Sequence, residues 1–180
     1  MAKSYMTISE EDALMNEYPL RAYNVSLLCC KDNYLLLQRS ATKSFAPLMW
    51  TGIGGSVEAT EFETMRSAAL RELEEESGLT TTSVQDYQLR RVLMLSRPDG
   101  SLTVLFYFTG ELGELLDLDC DEGELHWVKE DALVDLDIIP STKAVLPDLI
   151  KDRNIGASSV RLGVSKYKAD SDFDVILWTS

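Results

Sequence analysis

The chain has 180 residues, 45% of them hydrophobic, and 30 acidic against 17 basic side chains leave a net charge of -13. That size suits one globular domain with a single core, while the negative field excludes a nucleic-acid polymer or an anionic membrane surface as main partner. An anionic small substrate would need a bridging cation.

Residues 1–20 read as an N-terminal extension with a weak helix around Glu10 to Asn16, and residues 21–180 as the domain proper. The extension is too acidic and polar for a secretory signal, and no apolar run approaches the roughly 20 residues that span a bilayer, so a cytoplasmic location is expected. From Tyr23 the pattern turns to strand: YNVSLLCC, a KDN turn and YLLLQR form a hairpin. The loop SATKSFAPLMW leads to a glycine cluster and an acidic helical segment that Gly78 is placed to end. Tyr87 to Ser96 and Leu102 to Gly110 flank the turn RPDGS and make a second hairpin. LHWVK reads as a short strand, Thr142 to Lys151 as a helix, and VRLGVSKYK with FDVILWTS as two last strands around ADSD. Hairpins interrupted by helices indicate an α/β domain whose mixed sheet is covered by helices. Cys29, Cys30 and Cys120 form no metal spacing and read as free thiols.

The acidic segment is the informative one. Thr60 with Glu63 fits a capping box, so a helix is expected from about Glu61 to Ser77. At 100° per residue Phe62, Met65, Ala69 and Leu73 share a face that should enter the core. Glu72, Glu75 and Glu76 fall on an adjoining stripe, where like charges repel unless something neutralises them. Arg71 can pair with Glu75, and Glu74 points to solvent. Such clustered oxygens suit a hard cation that in turn holds phosphates. The bare carbonyls of Gly54 and Gly55 lie just ahead.

Gly55, Glu61 and the run Arg71-Glu72-Leu73-Glu74-Glu75-Glu76-Ser77-Gly78-Leu79 resemble the box of the Nudix hydrolases. The likeness extends from LLLQRS through LHWVKEDAL. It implies a Nudix α/β/α sandwich with a mixed central sheet between helices, and hydrolysis of a nucleoside diphosphate linked to another group. It further implies Mg2+ or Mn2+ held by Glu72, Glu75, Glu76 and the Gly55 carbonyl. Arg71 would position Glu75, so Arg71, Glu72 and Glu75 make up the catalytic set. A further glutamate from a later loop would act as ligand or base, with Glu122 the first candidate and Glu124 the second. Nine residues separate Glu61 from Arg71 where the family has seven. Counting back from Arg71 instead puts Glu63 in the family's glutamate position and Val57 in its glycine position. An earlier helix start would absorb the surplus; a longer loop would displace the Gly55 carbonyl.

WTGIGG, residues 50–55, resembles the stretch that Nudix enzymes acting on oxidised purine nucleoside triphosphates place before the box. Trp50, Thr51 and Arg39 are the candidate substrate contacts, although Thr51 stands where those enzymes use asparagine and Ser141 with Thr142 stand in place of paired aspartates. Phe106 and Tyr107 are further candidates for stacking on a base, and the last two strands for walling its pocket. One outcome is hydrolysis of such a triphosphate to monophosphate and pyrophosphate. A catalytically inactive Nudix-fold sensor that binds a nucleotide is the alternative. An isopentenyl diphosphate isomerase is disfavoured, because Cys29 and Cys30 lack histidine neighbours. Asp117, Asp119 and Asp121 alternate as in a calcium loop, but Glu122 and Val128 occupy its glycine and glutamate positions. His126, the single histidine, reads as structural or exposed. A small-molecule nucleotide is the expected partner, and a homodimer is an open expectation by analogy with the family.

Overall fold

Alternating apolar side chains in residues 20–39 produce a hairpin of β1 (Leu20–Cys30) and β2 (Asn33–Arg39), closed by Lys31 at φ 55°. The computed structural model describes residues 19–166 and 176–179, so the expected helix at Glu10 to Asn16 and the ADSD turn lie outside the described residues. The second hairpin is β4 (Gln85–Ser96) with β5 (Leu102–Glu111), and β5 runs parallel to β1 over ten residue pairs. β7 (Arg161–Lys166) lies parallel to β4, and β8 (Leu177–Trp178) closes that edge antiparallel. At the other edge β3 (Trp50–Thr51) joins β2 beside β6 (Gly123–Lys129), which pairs with the whole of β2. The mixed eight-stranded sheet has the order β3-β2-β1-β5-β4-β7-β8, with β6 on β2.

Two helices cover it. Helix α1 (Met65–Ser77) buries Ala69, Leu70 and Leu73 against Leu28, Leu35, Ile53 and Phe108. Helix α2 (Pro140–Asn154) buries Val145, Leu146 and Leu149 against Leu27, Leu36, Leu93 and Tyr107. Leu27 and Leu28 are neighbours on β1 and feed opposite cores, as the two-residue period of a strand requires. The result is the α/β/α sandwich. Helix α2 outruns the expected Thr142–Lys151 at both ends; at its start Pro140 can open a helix, its missing N–H being one that has no partner there in any case. Fully buried Arg91 on β4 pairs with Asp152 of α2 and lies over the Trp178 ring at 5.5 Å, tying the far edge to the helix. Among the described residues no helix is long and apolar enough to cross a membrane.

Candidate active site

A 3-10 helix, Ala59–Thr64, precedes α1, and this is where the sequence expectation needs correction. Thr60 and Glu63 do not cap the segment. The Glu61 carboxylate instead accepts the Glu58 N–H at 3.0 Å, and it also accepts Arg71 Nε at 3.0 Å and Nη2 at 3.2 Å. Glu61, and not exposed Glu63, is thus the residue joined to Arg71, and the surplus pair is taken up in the 3-10 turn. A 3-10 helix advances only about 2.0 Å per residue against about 3.3 Å for extended chain, so coiling the surplus pair adds little span between the glycine turn and α1. Phe62 is 41% exposed and sits edge-on to Phe106, so it is not part of the buried face that Ala69 and Leu73 form. Gly78 ends α1 in the left-handed region at φ 69°, donating its N–H to Glu74.

The glycine turn lies directly under the helix. Gly54 donates its N–H to Glu76 Oε2 at 3.1 Å, and the Gly55 carbonyl accepts the Asn24 N–H at 3.0 Å. A Cβ on Gly55 would stand 2.2 Å from Glu72 Oε2, and one on Gly54 2.2 Å from the Asn24 carbonyl oxygen. Gly54, at φ 154° against the strand backbone, therefore needs glycine, whereas a side chain at Gly55 would push the Glu72 carboxylate aside. Glu72 also takes Arg71 Nη1 at 2.9 Å, and Glu75 takes the same atom at 2.8 Å.

Glu72, Glu76 and Glu122 line one cavity of ≈ 510 Å³ with the Gly54–Gly55 turn. Glu75 is not among its walls: its side chain is 60% exposed and tied to Arg71. Helical geometry explains the split. Glu76 is about 40° round the helix from Glu72, whereas Glu75 lies about 60° to the other side, at the rim. Burial pushes the Glu76 carboxyl up to about 7, with the negative charge of Glu122 and Glu72 adding to it; the Gly54 N–H and Lys43 oppose the rise. Lys43 holds Glu122 at 2.6 Å. Glu124 is 79% exposed, turned to His126, and lines no part of this cavity.

Thr51 and Arg39 do line it, and Thr51 Oγ1 is 3.5 Å from Thr142 Oγ1. Trp50 does not. Its ring tilts against His126 at 5.3 Å, because neighbours on a strand face opposite ways. Phe106 and fully buried Tyr107 belong to the cores, and no described residue of β7 or β8 reaches the cavity. Lys43 and Asn24 are among the residues the sequence reading does not single out. Lys43 had no signal. Asn24 had one, an amide inside an apolar strand: it is 1% exposed, lines the cavity, and neither its Oδ1 nor its Nδ2 has a hydrogen-bond partner.

The fit of these groups to a divalent cation can be judged from their chemistry. Carboxylate and amide oxygens are hard donors of the kind Mg2+ and Mn2+ prefer, the orphaned Asn24 amide lies beside them, and the strained charge on Glu76 is what a cation would offset. Among the described residues no three acidic, histidine or cysteine side chains already converge at one point. The residues fit the group as hard oxygen donors lining one cavity.

The family model of the NUDIX domain matches residues 20–149. A search of curated proteins gives no match. Among solved structures, a MutT protein from Bacillus halodurans superposes with a TM-score of 0.65 at 23% identity, covering 88% of this chain and 97% of that one. A NUDIX hydrolase from Nitrosomonas europaea gives 0.63 at 22% identity over 84% and 81%. The NUDIX domain of Shewanella oneidensis NrtR, solved with ADP ribose, gives 0.57 at 15% identity over 81% and 99%. The chain belongs to the NUDIX domain family.

Proposed function

We propose that the protein is a divalent-cation-dependent pyrophosphohydrolase of small nucleotides, in which Glu72, Glu76, Glu122 and the Gly55 carbonyl hold Mg2+ or Mn2+. The observation that carries this reading is the cavity in which Glu72 and Glu76 meet the glycine turn. When bound, the cation neutralises diphosphate oxygens and lowers the barrier to attack by water.

The chain's own residues do the rest. Arg71 acts as a positioning residue: its guanidinium gathers Glu61, Glu72 and Glu75, which fixes the Glu72 rotamer against Gly55. Glu75 is the further carboxylate the set can recruit, at the expense of its bond to Arg71. Glu122, paired with Lys43 at 2.6 Å, would serve as the base for the attacking water where it is not itself a cation ligand. Arg39, whose Nε is bound to the Phe45 carbonyl at 3.1 Å, presents a cation to substrate phosphate at that end of the cavity. Thr51, Ser141 and Thr142 supply hydroxyls to the nucleoside, and Trp50 is left out of the substrate contacts. The hydrolase unit is taken to run from residue 21 to the C-terminal strands, since β7 extends the same sheet.

The test is a panel of nucleoside triphosphates, oxidised ones included, with ADP-ribose, sugar nucleotides and dinucleoside polyphosphates, assayed with Mg2+ or Mn2+ and product analysis. Turnover of one class to a nucleoside monophosphate supports the reading. Tight binding of a nucleotide without turnover of any would make the protein the sensor instead.

A further inference from the structure

The carboxylates and Arg39 occupy one half of the cavity, and the other half has a charge of the opposite sign. In a protein of net charge -13, Arg21 and Arg97 line that second half together. Arg97 is aimed: its Nε donates to Thr103 Oγ1 at 2.7 Å, and Thr103 is 2% exposed at the foot of β5. Arg21 stands beside Thr103 in the β1–β5 register. The Asp99 carboxyl is held below its usual range, first by the Ser101 hydroxyl and N–H and then by the positive charges of Arg21 and Arg97. Asp99 Oδ1 is already engaged by Ser101, at 2.6 Å to the hydroxyl and 2.9 Å to the N–H.

Arg21 lies three residues from Asn24 on an extended strand, about 10 Å from the strand position that holds the Gly55 carbonyl. A second anion carried by the substrate beyond the diphosphate would meet the arginine pair while the diphosphate meets the carboxylate end. Tyr23, Val25, Leu105 and Ile139 wall the interval, an apolar stretch suited to a sugar or base. Resting on the hydrolase reading above, we propose that Arg21 and Arg97 bind a second anionic group of the substrate, a phosphate or carboxylate carried away from the diphosphate. The substrate class is then a nucleoside diphosphate derivative bearing an extra anionic substituent. Arginine suits this role because its planar fork meets two oxygens of such a group at once.

The experiment uses two matched pairs that differ in that group alone: ADP-ribose against its 2′-phosphate, and UDP-glucose against UDP-glucuronate. In the wild-type chain with Mg2+, the more anionic member of at least one pair should have a kcat/KM at least about tenfold higher, corresponding to about 1.4 kcal/mol. In Arg21→Gln and Arg97→Gln that ratio should fall toward one, whereas Arg97→Lys should keep part of it; circular dichroism melting confirms that the variants fold. A wild-type ratio near one in both pairs overturns the proposal, as does a ratio that survives both glutamine variants. Should no nucleotide be hydrolysed, the hydrolase reading fails separately. Calorimetric affinities of the same pairs for the magnesium-loaded full chain then decide the arginine site by the same tenfold criterion.

Discussion

Replacing Gly55 with alanine tests whether the glycine turn is a shelf for Glu72. The backbone there lies outside the left-handed region, so alanine meets no torsional penalty, and the added Cβ collides only with the carboxylate, 2.2 Å from Oε2 and 2.5 Å from Cδ. Comfortable contact needs roughly 3.5 Å, so Glu72 must retreat by about 1 Å. A flexible side chain yields cheaply: the expected loss of stability is about 1 kcal/mol, or a fall in Tm of about 2–4 °C. Activity should suffer more. A displacement of about 1 Å in a group that orders the reacting centre costs about a hundredfold, which is about 2.7 kcal/mol in the barrier. Steady-state kcat/KM with Mg2+ and a thermal melt measure the two numbers. A kcat/KM within threefold of wild type, at unchanged Tm, would refute the role given to Glu72. A fall in Tm beyond about 10 °C would show that the turn, and not the carboxylate, gives way.

Glu76→Gln should reduce kcat by about a thousandfold and by at least ten times more than Glu75→Gln, since Glu76 forms the cavity wall and Glu75 the rim; equal losses would contradict that geometry. Glu74→Gln, on the exposed side of α1, should leave kcat within twofold. Chelation with EDTA should abolish hydrolysis and Mn2+ restore it, read by chromatography of the nucleoside monophosphate formed; activity that persists through dialysis against chelator would remove the cation from the scheme. Burial pushes the Cys29 thiol up to about 11, whereas an unfolded thiol titrates near 8.5. Its folded pKa is raised, so the associated stability is complete below about 8.5 and is lost as pH rises toward about 11. Denaturant midpoints from pH 8 to 10 should fall more steeply in the wild type than in Cys29→Ala, and parallel slopes would refute the assignment.

The two hairpins were plain in the sequence because each carries a period of two interrupted by a turn whose residues favour it, and Gly78 announced the end of α1 by its own conformational freedom. β3 was not: two residues give no period, and Trp50–Thr51 is held as a strand by β2 and by the 137–139 segment, both remote in sequence. The charge cluster was also legible, but its division was not. Spacing alone put Glu72, Glu75 and Glu76 together; only the position of the Gly54–Gly55 turn shows that two of them face it. The substrate contacts were the least legible part. Trp50 offers an aromatic ring, yet its side of the strand is set by cross-strand pairing; the Asn24 amide stands out in an apolar strand, but that both of its polar atoms lack partners shows only in the fold.

The 3-10 entry to α1 makes the two ends of the motif unequal in their tolerance of insertions and deletions. Upstream of Met65 a residue gained or lost changes the winding of a surface coil, and the grip of Arg71 on Glu61 ties that coil back to the helix. Between Arg71 and Gly78 the same event would swing every later side chain by about 100°, sending Glu76 out of the cavity and another side chain in. Drift in chain length is therefore confined to one stretch of this motif, and the other is rigid in its count.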